Sequence, residues 1–149
     1  MAKGKQRTRP EPDREPRTQY ACLPWRRRDD GAVEILLITS RETRRWVIPK
    51  GWPIKGMKPG PSAAQEAFEE AGLLGEPSRK PLGHYSYDKR LSSGRLQHVR
   101  VQVYALKVRE LAAEWPEKGQ REHLWASPAE AASLVQEVDL RVLIAKFGA

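Results

Sequence analysis

The order of apolar and polar positions cuts the chain into short segments of two different periods. "YACLPWRRR" and "AVEILLITS", separated by "DDG", read as two strands joined by a turn, with Asp30-Gly31 as the hairpin signal. "RRWVIP" makes a third short strand, stopped by Pro49. From about Pro59 to Ala71 the residues are rich in Ala, Glu and Gln, with prolines only in the first turn. That pattern predicts a helix, capped at its C-terminus by Gly72. "GHYSYDKRL" and "RLQHVRVQVYALKV" flank "SSG" and predict a long hairpin, since the second alternates apolar and polar residues at period two. "REHLWAS" is a last short strand. "SPAEAASLV" then starts a helix, with Ser127 as N-cap, Pro128 at the first position and Glu130 completing a capping box. The amphipathic "VDLRVLIAKFG" follows. Strands with one helix in the middle and helices at the end predict an α+β fold or an α/β/α sandwich.

At 149 residues the chain holds about one domain. "MAKGKQRTRPEPDREPRT" has no large apolar residue after Met1, so residues 1–17 are expected to be a disordered basic tail ahead of a folded domain over 18–149, with order beginning near Tyr20. The longest apolar run, "ILLI", is too short to cross a bilayer, and the N-terminus lacks the apolar centre of a secretory signal. One cysteine, Cys22, cannot form an internal disulfide. Together these predict a cytoplasmic protein. His84, His98 and His123 are scattered without cysteine partners, which excludes a zinc site by spacing.

The net charge is +8, of which the tail supplies six basic against three acidic residues, so +3, and the remainder +5. A basic domain prefers an anionic partner: nucleic acid, membrane headgroups or a small, highly phosphorylated molecule. Charge alone does not choose among them.

The helix over 59–71 adds a choice. Glu66, Glu69 and Glu70 share one face at i, i+3 and i+4, and Ala63, Ala64, Ala67, Phe68 and Ala71 fall on the opposite arc, with Phe68 expected as the main apolar anchor. A run of acids is ordinarily a solvated face. Here no Lys or Arg lies on the helix beyond Lys58, and the acids crowd toward the end where the macrodipole disfavours them. Three hard oxygen donors under that penalty predict a bound Mg²⁺ or Mn²⁺. A divalent ion beside basic residues points to phosphoryl chemistry.

Gly51, Glu66, Glu69, Glu70, Gly72 and Leu73 resemble the signature of the Nudix hydrolases, G-x5-E-x7-R-E-U-x-E-E-x-G-U, where U is a bulky aliphatic residue. Two positions depart from it: Met57 stands for the first Glu and Gln65 for the Arg, and Ala67 occupies the first U. "EILLITSR", "RRWVIPKGWP", "VRVQVYALKVREL" and "WPEKGQREHLWASPAEAASLV" extend the likeness to the diphosphoinositol polyphosphate phosphohydrolase branch and its bacterial relatives. The resemblance implies an α/β/α sandwich with a mixed central β-sheet. It further implies metal binding by Glu66 and Glu70, with Glu69 as a further ligand or water-orienting group and the Gly51 carbonyl as another ligand. The general base varies among members, so the three glutamates all stand as catalytic candidates. The implied reaction is attack of metal-activated water on a diphosphate linkage. Gln65 can hydrogen-bond a box carboxylate but not neutralise it, so the two departures set a second reading beside the first: a weak or inactive module that binds polyphosphates or RNA.

Arg41, Arg45, Lys50 and Lys55 bracket the loop, and Lys89 and Arg90 lie on the downstream hairpin; these are the candidate substrate-binding residues. Arg44, Lys58 and Arg95 extend the set. As a group they favour a small phosphorylated substrate, such as a diphosphoinositol polyphosphate or a dinucleoside polyphosphate, over nucleic acid. Trp52, Tyr85 and Tyr87 could stack a base, whereas Trp46 is expected in the core and His84 and His98 in structural roles. No membrane partner is expected, and the protein is read as a monomer or homodimer.

Overall fold

The computed structural model describes residues 16–148. The tail expected over 1–17 therefore lies, up to residue 15, outside the described residues. Strand β1 spans Arg17–Arg27, so regular structure already includes Arg17 and starts ahead of Tyr20. The chain continues through β2 (Val33–Thr39), β3 (Trp46–Val47), β4 (Lys50–Gly51), α1 (Pro59–Ala71) and β5 (Leu73–Pro77). It ends with β6 (Gly83–Arg90), β7 (Leu96–Leu111), β8 (His123–Ala126), α2 (Pro128–Leu134) and α3 (Val138–Phe147). Among the described residues no helix is long and apolar enough to cross a membrane.

The strands form one eight-stranded sheet with the path β3-β2-β1-β7-β5; β4 adds to β1, β6 to β7 and β8 to β2. β1 and β7 run parallel and the other pairs antiparallel, which makes the sheet mixed. Alternation along the central strands explains the layers. On β1 and β2, Ala21, Leu23, Ile35 and Leu37 point to one face and pack under α2 and α3, around Ala131, Leu140 and Ile144. Cys22, Leu36 and Ile38 point to the other face and pack under Ala63, Ala67 and Ala71 of α1. A strand covered on both faces must be apolar throughout, which is why "ILLI" shows no alternation. The architecture is the expected α/β/α sandwich.

Three local expectations need correction or addition. Phe68 is only half-buried and lines an outer groove with Leu74 and Leu106; the small alanines anchor α1 and let it sit close to the sheet. β5 carries no clear strand signal because Gly75 and Pro77 interrupt it. Gly75 is needed there, since a Cβ would fall 2.1 Å from the Lys107 carbonyl oxygen beside a register shift at Leu74/Gly75. β4 is two residues long, but it pairs Gly51 with Tyr20 and Lys50 with Ala21, and so fixes the loop start against the central strand. The helix caps follow the sequence: Gly72 is left-handed (φ 71°), and Ser127 accepts the Glu130 N–H.

Candidate active site

Glu66 lies inside α1's packed face, with 3% of its surface exposed. Its carboxyl occupies the space in front of Gly51: a Cβ built there would stand 2.3 Å from Glu66 Cδ. Glycine is required at 51 by this contact, because its backbone is ordinary extended strand. β4 and α1 thus bring the box's opening glycine and Glu66 together.

The end of α1 is covered by the 112–122 segment. The Ala112 N–H bonds the Gly72 carbonyl (2.8 Å) and the Glu117 N–H bonds the Glu69 carbonyl (3.0 Å), satisfying acceptors of the helix terminus and its cap. The Trp115 ring lies against Gly72, where a Cβ would fall 2.3 Å from Trp115 Cε3. This docking delivers Arg121. Its Nε and Nη2 donate to Glu117 Oε1 (3.0 and 2.9 Å), and its Nη1 to the Thr39 carbonyl (3.1 Å). Its Nη2 also stands 3.8 Å from Glu70 Oε2, with both side chains close to buried (9% and 12% exposed). The repulsion that the helix sequence leaves unrelieved is offset by a cation from a distant loop.

Glu69 behaves differently. Its Oε2 accepts from Gln65 Nε2 (2.9 Å), one turn back on the same helix. Among the described residues no three His, Cys, Asp or Glu groups are already gathered around one point. The three glutamates of this face differ in surroundings: Glu66 and Glu70 sit toward the sheet and the cleft, and Glu69 accepts a hydrogen bond from Gln65. Burial pushes the Glu70 carboxyl up to about 7, against the opposing pull of Arg121 and Lys50, with Glu66 and Glu117 adding to the rise. Burial likewise lowers Lys50, a shift that Glu70 partly opposes. Two buried oxygen donors from Glu66 and Glu70, next to the Gly51 backbone, fit a divalent cation: added positive charge would offset the burial penalty that protonates Glu70.

Glu70 opens on a cleft of about 470 Å³. Arg41, Arg45, Lys50, Lys89, Arg90 and Arg121 line it, six cations against the acids Glu42, Glu70 and Asp88, so its balance is positive. Five of the six substrate-binding candidates are thus brought together. Lys55 is the exception; it is exposed in the turn after β4 and does not line the cleft. Arg45 is tied to Glu137 (2.9 Å) and Arg44 to Glu122 (2.9 Å), so both hold walls in place. Of the aromatic candidates, Tyr87 lines the cleft, with Lys50 Nζ 5.0 Å from its ring centre and its hydroxyl donating to Gln19 (2.7 Å). Tyr85 is buried, and Trp52 is half-buried against the core below α2 and α3. Nothing in the sequence marks Arg121 and Glu117 as site residues, because "EKGQRE" has the composition of any solvated loop.

No family model matches the chain. Individual relatives do. Nudix hydrolase 12, mitochondrial, of Arabidopsis thaliana is 30% identical over 128 residues, covering 76% of this chain and 63% of that protein. Diphosphoinositol polyphosphate phosphohydrolase 3-beta of Bos taurus is 32% identical over 118 residues, covering 78% of this chain and 67% of that protein. The chain thus spans about two thirds of the length of these relatives. Among solved structures, a Nudix hydrolase from Nitrosomonas europaea superimposes with a TM-score of 0.67 at 16% identity, over 89% of this chain and 88% of that one, which shows the shared fold.

Proposed function

The chain belongs to the Nudix hydrolase family, and we propose that it hydrolyses a phosphoanhydride bond in a small substrate carrying several phosphates, such as a diphosphoinositol polyphosphate or a dinucleoside polyphosphate. One observation carries this reading: the Glu66–Glu70 pair opens, through Glu70, onto a cleft of net positive charge.

Glu66 and Glu70 would hold a divalent ion, Mg²⁺ or Mn²⁺, with Glu69 and the Gly51 carbonyl as further candidate ligands. When bound, such an ion neutralises phosphate charge and makes water a stronger nucleophile near neutral pH. The remaining work falls to the chain itself. Arg41, Lys89 and Arg90 bind phosphates that are not cleaved, and their charge concentrates polyanions at the cleft mouth. Lys50 and Arg121 lie beside Glu70, where negative charge develops as the phosphoanhydride opens. Gly51 and Arg121 position the two carboxylates before substrate arrives. The bovine relative's name speaks of diphosphoinositol polyphosphates, which agrees with a cleft of many cations.

The test is a phosphate-release screen with Mg²⁺ and with Mn²⁺ over diphosphoinositol polyphosphates, dinucleoside polyphosphates, nucleoside di- and triphosphates and triphosphorylated RNA. Release is expected from the substrates richest in phosphate and absent with Glu70→Gln. If no diphosphate substrate is turned over while polyphosphates bind tightly without metal, the chain is a binding module instead.

A further inference from the structure

The turn between β2 and β3 is "SRETRR", residues 40–45, closed at its base by the Thr39–Trp46 pair. Ser40, Arg41, Glu42, Thr43 and Arg45 line the carboxylate cleft; Arg44 alone of the six does not. Arg44 is also the one non-glycine residue with positive φ (59°) among the described residues. An arginine rarely takes that backbone, so it needs a compensating contact. Its guanidinium turns away from the cleft to Glu122 (2.9 Å) and the Gln120 carbonyl (3.3 Å). Glu122 is itself fixed to the end of β2, its N–H donating to the Thr39 hydroxyl and its carbonyl accepting the Thr39 N–H. The bend at 44 sends two adjacent arginines in opposite directions and returns Arg45 to the cleft wall.

Arg45 is then held from the far side of the sheet. Its Nη1 donates to Glu137 Oε2 (2.9 Å), and the Glu137 side chain is only 12% exposed. Among the described residues Arg45 Nε and Nη2 make no hydrogen bond, so one corner of the guanidinium is anchored and the rest is available on the cleft wall. Glu137 is the N-cap of α3, yet its side chain makes no capping bond. Glutamate is a poor cap beside Ser, Thr, Asn or Asp, and here the carboxylate reaches across to Arg45 instead. The turn that carries it is rigid. Val135 and Leu140 are buried on either side of it, Arg141 Nε donates to the Val135 carbonyl (2.8 Å), and the Arg141 N–H to the Glu137 carbonyl (3.0 Å).

We propose that Glu137 is a positioning residue for substrate recognition: it holds the Arg45 guanidinium so that the free nitrogens meet a phosphate that is bound but not cleaved. The α2–α3 turn thereby takes part in specificity, although it lies far in the chain from the helix that carries the carboxylates. A loose arginine gives up the freedom of several rotors when it binds, whereas an anchored one has already given up most of it. Charge alone makes the opposite prediction. A carboxylate beside a polyanion repels it, so deleting Glu137 would tighten binding if Glu137 acted only through its charge. The sign of the effect separates the two. The inference rests on reading the cleft as a polyphosphate site, and not on the hydrolysis that follows.

The full chain in EDTA is titrated with inositol hexakisphosphate by isothermal calorimetry, at a temperature where melts show every variant folded. Glu137→Met keeps the length of the side chain but has no acceptor for Arg45. It should weaken binding about fivefold, although a repelling charge is gone, and Arg45→Gln about tenfold. Glu137→Gln loses the same charge but keeps an acceptor, and should stay within about twofold of wild type. The double variant Glu137→Met/Arg45→Gln should match Arg45→Gln within about twofold, since Glu137 acts through Arg45. Unchanged or tighter binding by Glu137→Met overturns the proposal, as does equal weakening by Met and Gln. A double variant about fivefold weaker than Arg45→Gln also overturns it, because Glu137 would then act through packing. A wild type that does not bind the probe overturns it together with the polyphosphate reading of the cleft. If binding follows the expected pattern while no diphosphate is hydrolysed, the hydrolytic reading alone fails and the role of Glu137 stands.

Discussion

Arg121 Nη2 stands 3.8 Å from Glu70 Oε2, so a loop cation rather than a helix neighbour offsets the acidic end of α1. The same guanidinium is fixed by Glu117 and by the Thr39 carbonyl, which leaves it little freedom to turn away. Three contacts from three segments make Arg121 the joint between the helix end, the end of β2 and the loop before β8. The proposed chemistry inherits its geometry from that joint.

Glu70→Gln should separate activity from stability. Burial raises the Glu70 carboxyl from an ordinary 4.5 to about 7 in the metal-free chain. A group whose folded-state pKa is raised contributes its full stability below the unfolded value and loses it as pH rises through the folded one. The metal-free wild type should therefore lose on the order of 3 kcal/mol between about pH 4.5 and pH 7 from this group alone. Gln at 70 does not ionise, so its advantage should grow over that window while turnover vanishes. Urea melts at several pH values in EDTA measure this; equal pH dependence of the two proteins would reject it.

Arg121→Gln should do the reverse. It leaves two carboxylates, Glu70 and Glu117, without their shared cation near a packed core, at a cost of about 2–4 kcal/mol above neutral pH. Without Arg121 the Glu70 carboxyl should rise further, so the deficit is largest at high pH and shrinks as pH falls below the Glu70 value. Turnover should drop by about tenfold or more even where the variant is fully folded. A deficit that is flat from pH 5 to pH 9 would show that Arg121 acts through packing alone.

Much of this arrangement is legible in the sequence, for a physical reason. Strand alternation, the prolines at the start of α1, Gly72 and the Ser127 cap are local signals, and each acts within a few residues. The spacing of Glu66, Glu69 and Glu70 is equally local, which is why the carboxylate face could be read without coordinates. What was hidden is non-local. Nothing near Arg121 marks it as the partner of Glu70, whereas the Gln65–Glu69 bond, at i and i+4, follows the local rule of helix neighbours. The same limit explains Lys55, which is near the loop in sequence but not in the cleft, and Phe68, whose helical face is right but whose ring is not in the core.

Gly51→Ala tests the contact between loop and helix. The added methyl would overlap the Glu66 carboxyl, at 2.3 Å from its Cδ. Glu66 must turn, since the β4 backbone is fixed to Tyr20 and Ala21. Turnover should fall about a hundredfold or more, whereas stability should change by no more than about 2 kcal/mol because the alanine's backbone is unstrained. A parallel Mn²⁺ titration by electron paramagnetic resonance should show weaker binding. Unchanged Mn²⁺ affinity would remove Glu66 from the ligand set.

The cleft cations should divide cleanly in kinetics. Lys89→Gln and Arg90→Gln should raise KM about tenfold each with little change in kcat, the mark of lost uniform binding. Lys55→Gln should leave both within about twofold, because Lys55 is exposed and outside the cleft. The KM effects should shrink as salt rises, because the contacts are electrostatic. An equal effect of Lys55 and Lys89 would mean that general charge, not the cleft, recruits substrate.

Gln65→Arg and Met57→Glu restore the two box positions at which this chain departs from the family signature, and the structure makes both nearly silent. Gln65 already holds Glu69 at 2.9 Å, one helical turn away, so an arginine there would strengthen an existing bond rather than create one at Glu70. Its gain should be about 0.5 kcal/mol of stability, the scale of a helix ion pair. Met57 is 39% exposed, with its N–H bonded to the Ile54 carbonyl, and a glutamate there would point to water. Turnover should therefore stay within about threefold of wild type in both variants and in the double variant, as surface changes away from a strained or buried group usually do. Paired kinetics on Gln65→Arg in wild-type and Arg121→Gln backgrounds give the sharper result. If Arg121 alone offsets Glu70, the arginine at 65 should fail to rescue Arg121→Gln. A rescue of tenfold or more would instead assign both arginines to the same carboxylate.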